Sequence, residues 1–197
     1  LRRQRQMCIR DSINGWGDCG ILKSFRDWAY NRGETIRATT SFLMADSTTP
    51  DGDYIKPQTN PTNTDCWNGK AYTPLNQLTP GRTKYGTNNN VRIFRYADVL
   101  LMNAEAKIKN GKSGDAPFNE VRRRAQMPEL TNVTFEQVID ERRMELVCEW
   151  GERYNDLVRT GLAKTELKGW SEDKALLPLP FNQYTQIPDL LKEPKDE

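Results

Sequence analysis

The chain has 197 residues, room for one large domain or two small ones, and carries 29 basic against 27 acidic side chains with no histidine at all. The near-neutral balance removes the electrostatic footprint of a dedicated nucleic-acid binder, and the missing imidazole removes histidine general bases, histidine zinc sites and Ser-His-Asp or Cys-His nucleophile pairs. Mean hydropathy is −0.82, and no apolar run reaches the roughly 18 residues of a membrane-spanning helix.

Residues 1–12, LRRQRQMCIRDS, are basic but lack the apolar stretch of a signal peptide and show neither a helical nor a strand period. They read as a non-native leader of library-adapter type and stand outside the fold argument. Residues 13–90 form a loop-rich region, expected to be the ligand face. From Asp46 to Asn90, 25 of 45 residues are Thr, Asn, Pro or Gly, which supplies turn chemistry and side-chain competition for backbone hydrogen bonds, so loop is expected rather than helix. Tyr54, Trp67, Tyr72 and Tyr85 argue against disorder, because disordered segments are poor in aromatic residues. An irregular stretch this long that is ordered is usually functional.

The cysteines Cys8, Cys19, Cys66 and Cys148 contain no CxxC pair, and Cys19 to Cys66 is the one bridge worth testing. Asp46, Asp51 and Asp53 around Gly52 resemble the opening of a calcium loop, but Thr62 stands where the twelfth-position glutamate belongs. No metal and no cofactor are expected.

Residues 91–190 read as helical. Ile93, Ala97, Leu100, Leu101, Ala104 and Ile108 make one stripe of a 3.6-residue period, which Gly111 can terminate. A shorter helix is expected from about Pro117 to Gln126, with Phe118, Val121 and Ala125 inward, packed on the first as a helical hairpin. Thr134 followed by Gln137 fits a capping box, so a third helix should begin there. Its stripe Phe135, Val138, Ile139, Leu146 and Trp150 is interrupted at Arg142 and Arg143. One guanidinium is therefore expected against the core, paired with Glu105, Glu145 or Glu149, since a buried charge needs a partner. A fourth helix near Arg153 to Thr160 should stop at Gly161, after which Pro178 and Pro180 impose extended chain and residues 191–197 form a solvated tail. Tyr96, Val99 and Met102 lie off the first helix's main stripe and present a second apolar side that needs a cover.

Glu141, Glu145, Glu149 and Glu152 supply paired carboxylates of the kind a glycosidase needs, yet their spacing serves equally for ion pairs with Arg142, Arg143 and Arg153, and that structural use is the expectation. Arg122 to Arg124 fan around a helix rather than forming a phosphate patch. The loop aromatics make a better case for a site, because Trp and Tyr faces stack on sugar rings while Asn and Asp bond hydroxyls. Trp67 between Asp65 and Asn68, with Tyr72 and Tyr54 nearby in sequence, are the nominated ligand-binding residues.

Four linked blocks carry a family resemblance: RIFRYADVLLMNAEA, FNEVRRRAQMPEL, VIDERRMELVCEWGERYNDLVRTGLA and ALLPLPFNQY, in that order and spacing. They resemble the C-terminal part of the SusD/RagB family of surface glycan-binding lipoproteins. Tyr96, Ala97, Asp98, Leu101 and Glu105 match its RYADxLLxxAEA helix; Asn119, Val121, Arg122 and Arg124 its NxVRxRA segment; Glu141, Arg142, Arg143, Glu145 and Leu146 its ERRxEL core. Arg153, Asp156, Leu157 and Arg159 follow the RWFDLVR segment, and Leu177, Pro178 and Pro180 follow LLPIP. The WGERYND stretch is one residue longer than the commoner form.

The resemblance implies a mainly α fold, a TPR-like helical scaffold with long irregular loops, here as a fragment of the family's C-terminal part. It implies non-catalytic capture of an oligosaccharide or polysaccharide at the outer-membrane surface for a SusC-like TonB-dependent transporter, with membrane association through a lipidated N-terminus absent from this chain. The motif blocks themselves read as scaffold, so the alternative is a helical protein-interaction fragment with no ligand of its own. Glu105, Arg142, Arg143 and Glu145 are expected as structural ion pairs.

Overall fold

A computed structural model describes residues 20–57, 65–78, 93–149, 152–175 and Gln186. The basic leader, Cys19, Tyr85, Trp150, Pro178, Pro180 and the tail lie outside the described residues. Among the described residues 54% are helical and 8% are in strands, and no helix is long and apolar enough to cross a membrane. The chain divides after Arg153 into two compact units.

The first unit opens with two helices inside the stretch read from sequence as loop-rich. Helix α1 (Lys23–Asn31) sets Phe25, Trp28 and Ala29 on one face, with Ala29 fully buried. It ends in a Schellman motif: Glu34 N–H bonds the Ala29 carbonyl, Gly33 N–H bonds that of Tyr30, and Gly33 takes the left-handed φ of 84° that the motif requires. Helix α2 (Ile36–Ser41) runs directly into strand β1 (Phe42–Met44), which pairs antiparallel with β4 (Cys66–Asn68), Leu43 facing Trp67. Between them β2 (Ser47–Thr48) and β3 (Tyr54–Ile55) form a short hairpin whose turn uses Gly52 at φ 90°. A 3-10 turn at Gly69–Ala71 lies against α2 so closely that a Cβ on Gly69 would meet the Thr40 carbonyl at 2.4 Å. We refer to residues 20–57 and 65–78 as the loop platform. Its apolar interior is two small clusters, one of Leu43, Ile55 and Trp67, the other of Ile21, Ala29, Ala38, Phe42 and Cys66 joined by Met144.

The helical block follows. Helix α3 (Tyr96–Lys109) buries Ala97, Leu100, Leu101 and Ala104 as the stripe predicts. Ile93 departs from the prediction: it is 69% exposed, because the helix starts only after an extended Arg95. The C-terminus is again a Schellman motif, with Lys112 N–H to the Lys107 carbonyl, Gly111 N–H to that of Ile108, and φ 68° at Gly111. Helix α4 (Asp115–Arg124) begins two residues earlier than expected and takes Pro117 in its first turn, where a missing N–H costs no helical bond. It packs on α3 at Gly114, where a Cβ would stand 2.8 Å from the Ala104 carbonyl.

Side chains of α4 hold the connection to the next helix. Asn119 bonds both the N–H and the carbonyl of Leu130, Arg122 donates to the Pro128 carbonyl, and Asp115 accepts from Asn132 and Val133 N–H. Those two amides hold the Asp115 carboxyl below the usual carboxylate range.

Helix α5 (Phe135–Glu145) starts at the expected capping box: Thr134 Oγ1 accepts from Gln137 N–H, and Gln137 Oε1 accepts from Thr134 N–H. It stops at Glu145 rather than continuing along the predicted stripe, with Leu146 as its C-cap and Cys148 in left-handed backbone at φ 63°. Ala97, Leu100, Leu101, Ala104, Phe118, Val121, Val133 and Val138 form the core of this block.

In the second unit α6 (Glu152–Arg159), which spans the division, ends at Thr160 and Gly161, the glycine at φ 75°. Within that unit Asp156 accepts from Arg159, and Tyr154 meets Trp170 edge-on at 6.1 Å. A short helix α7 (Ala163–Glu166) and a 3-10 turn at Glu172–Ala175 complete the described part.

Candidate functional site

The nominated ligand residues separate into an interior and a surface. Trp67 is wholly buried, its indole packed with Leu43 and Ile55 in the centre of the platform, so neither ring face is open to a sugar. Asn68 is buried too: its amide nitrogen donates to the Cys148 carbonyl at 3.2 Å, and its oxygen caps the 3-10 turn by accepting from Lys70 N–H at 2.9 Å. Both residues are therefore corrected from ligand contacts to supports. All three residues of β4 are buried, because successive side chains point to opposite faces and both faces are covered, Trp67 lying in one apolar cluster and Cys66 in the other.

Tyr54, Tyr72 and Asp65 remain at the surface. Tyr54 is 46% exposed, and its hydroxyl donates to Asp46 at 2.6 Å across the hairpin. Tyr72 is half-buried against the Leu43, Ile55 and Trp67 cluster; its hydroxyl donates to Asp53 and lies 3.3 Å from Thr49 Oγ1. Asp53 also accepts from Leu75 N–H at 2.8 Å, so one carboxylate ties the Tyr72 segment to the hairpin that carries Tyr54. Burial first, then the bond to Asp53, pushes the Tyr72 phenol up to about 12, and the bond to Asp46 raises that of Tyr54. Both rings are thus held by carboxylates at their polar ends. Asp65 is an exposed carboxylate held at 2.7 Å by the buried Arg26. Asp46 and Asp53 are spent on these tyrosines, and no cluster able to hold a metal occurs among the described residues.

Beneath this surface lies a buried charge network that sequence reading foresaw only in part. Glu141 is fully buried and bonded by Arg32 at 2.7 Å, Arg37 at 2.6 Å and Arg122 at 2.9 Å. Glu145, 2% exposed, accepts from Arg95 at 2.7 Å and Arg124 at 2.5 Å, with Arg37 at 3.3 Å. Burial works against its charge, but Arg95, Arg124 and Lys70 outweigh it and lower its carboxyl. Arg37 is also gripped by Glu34; burial again opposes its charge, and Glu141 with Glu34 overcomes that and raises its guanidinium. Lys70 donates to the Glu145 carbonyl at 2.6 Å and to Glu149 at 2.7 Å, and burial lowers its ammonium.

Of the nominated ion-pair residues, Arg142 is buried as expected and bonds Asp98 at 2.6 Å, with Glu152 at 3.8 Å. Arg143 lies over aromatic rings, 4.4 Å from the centre of Trp28 and 5.4 Å from that of Phe25, a cation–π contact that sequence reading did not foresee. Arg37, Lys70, Arg95 and Asp98 had no local signal, because their partners are mostly distant in the chain. With Glu141 and Glu145 committed to arginines, neither is placed to act as an acid or a base.

The SusD family profile matches residues 20–187, most of the chain. The chain belongs to the SusD family. Over 119 residues it is 33% identical to the SusD-like protein P38 of Formosa agariphila, and over 81 residues 36% identical to the starch-binding protein SusD of Bacteroides thetaiotaomicron. These matches take in 51% and 41% of this chain but only 24% and 14% of those proteins. Among solved structures it resembles the surface glycan-binding protein A of Bacteroides thetaiotaomicron, with a TM-score of 0.74 and 28% identity over 90% of this chain and 41% of that one. The same Bacteroides thetaiotaomicron protein in complex with laminarihexaose matches with a TM-score of 0.73 and 27% identity over 88% of this chain and 40% of that one. The mainly α, SusD-like fold expected from the sequence is the one observed. This SusD-family chain thus spans less than half the length of each of these relatives.

Proposed function

We propose that this chain is part of a non-catalytic glycan-capture protein of the cell surface, binding an oligosaccharide or polysaccharide on the loop platform. The observation that carries the reading is the match of nine-tenths of the chain to a surface glycan-binding protein, the same protein having been captured with laminarihexaose. The platform supports it chemically. Tyr54 offers an exposed ring with its hydroxyl anchored, Tyr72 lies beside the same hairpin, and Asp65 offers a free-facing carboxylate edge for hydroxyls. Trp67 and Asn68 serve as the floor beneath them. Delivery to a SusC-like TonB-dependent transporter, with the longer protein held at the outer membrane by a lipidated N-terminus, is the expected setting.

Affinity electrophoresis against soluble polysaccharides, together with titration of laminarihexaose, tests the reading. Retardation by at least one glycan is expected. Tyr54→Ala should weaken it severalfold, because the ring is exposed and its removal leaves the platform core untouched. Unchanged mobility with every glycan, or sustained release of reducing ends, would overturn it.

A second reading, a helical protein-interaction scaffold with no ligand of its own, draws on the exposed row Ile93, Phe94, Tyr96, Val99 and Met102 at the start and along one side of α3. That reading predicts strong ANS fluorescence, reduced by charged substitutions at Phe94 and Tyr96, and no glycan retardation.

A further inference from the structure

We infer that the Glu141–Glu145 segment of α5 is a charged joint that positions the loop platform on the helical block, so that neutralising Glu141 frees the platform while the helices stay folded. The apolar clusters motivate this. The core of α3, α4 and the first half of α5 shares no residue with the two platform clusters, and α5 reaches the platform interior through Met144. What lies between is charge, and each buried carboxylate is gripped from both sides.

Glu141 takes Arg32 and Arg37 from the platform and Arg122 from α4. Glu145 takes Arg37 from the platform and Arg95 and Arg124 from the helical side. Glu149 repeats the pattern with Lys70 and Arg95. Such a joint differs from a shared apolar core in how it fails. Removing a methyl group leaves a cavity within one cluster. Removing the Glu141 charge leaves guanidinium groups from opposite faces at a buried seam without the anion between them, and their mutual repulsion is relieved by parting the seam, not by melting either side. The residues around Tyr54 and Tyr72 move with the platform, which makes Glu141 and Arg37 positioning residues for the proposed ligand surface.

Amide hydrogen exchange on the full 197-residue chain, read by mass spectrometry without any glycan, tests the joint independently of the ligand reading. Glu141→Gln should speed exchange at least tenfold across 23–44 and 66–72 while amides of α3 and α4 stay within about twofold of the parent. Val138→Ala, which cuts the helical core with every charge intact, should produce the reverse distribution. Should Glu141→Gln fail to fold, Arg32→Gln removes a single platform grip and should give the same platform-biased change at smaller amplitude. Uniform acceleration over the whole of 20–149, or a platform no faster than the parent, would show that the two parts unfold as one unit and overturn the inference.

Discussion

Trp67 and Tyr54 lie thirteen positions apart in the same loop-rich stretch, and the sequence offers no means of telling which ring faces water. The tertiary structure assigns them opposite duties: one is fully buried, the other 46% exposed. Trp67→Ala should therefore cost about 3–5 kcal/mol of stability, the range for large aromatic truncations in a packed core, read as a shift in the urea midpoint. Any loss of glycan retention in that variant should track its unfolded fraction. Tyr54→Ala should leave the midpoint nearly unchanged. Cys66 follows the same logic as Trp67: burial pushes its thiol up to about 12, so it serves as a small core residue rather than a nucleophile. Asp65, between exposed loop and buried strand, was legible as polar surface. Its partner Arg26, thirty-nine positions upstream and buried, was not.

Helix starts and stops are where local chemistry was most readable. The Thr134 and Gln137 capping box, the Gly111 terminus and the Gly161 stop occur where side-chain and glycine patterns place them. Thr134→Ala should cost about 1 kcal/mol, seen as a lower melting midpoint, while Thr134→Ser should restore most of it. What pattern reading missed at this scale is equally specific. Helix α1 carries Phe25, Trp28 and Ala29 at helical spacing, ahead of Gly33, but the polar composition that follows drew the whole region into a loop reading. Helix α5 ends before its apolar stripe does: Glu145 is held by arginines on other elements, and the backbone passes into left-handed geometry at Cys148. Ile93 fits the period of α3 and yet lies outside it, since periodicity says nothing about where the preceding chain ceases to be extended.

The scale of the first unit is set by its buried charges. Glu145 is held below its ordinary value of 4.5 despite burial, so its contribution is present above that value and is lost as pH falls through the depressed folded-state value. Urea midpoints of the parent and of Glu145→Gln should accordingly differ above that value and converge as pH falls progressively below it. A constant gap across that range would mean that the carboxylate's charge is not what stabilises the fold. Two carboxylates of the ERRMEL stretch, Glu141 and Glu145, bond arginines of both the platform and the helices, while Arg142 bonds Asp98 within the helical block.

Zero histidines, a property of composition alone, excluded imidazole chemistry, and the 3.6-residue apolar stripes and capping signals established a mainly helical, scaffold-like chain, because each of those patterns depends on residues within a turn or two of one another. Which rings stay wet, and which carboxylate meets which arginine, depended on bringing Arg37 to Glu141 across 104 positions and β1 to β4 across more than twenty. Burial and ion pairing are properties of neighbours in space, and in this chain the decisive neighbours come from segments whose spacing along the backbone carries no periodic signal.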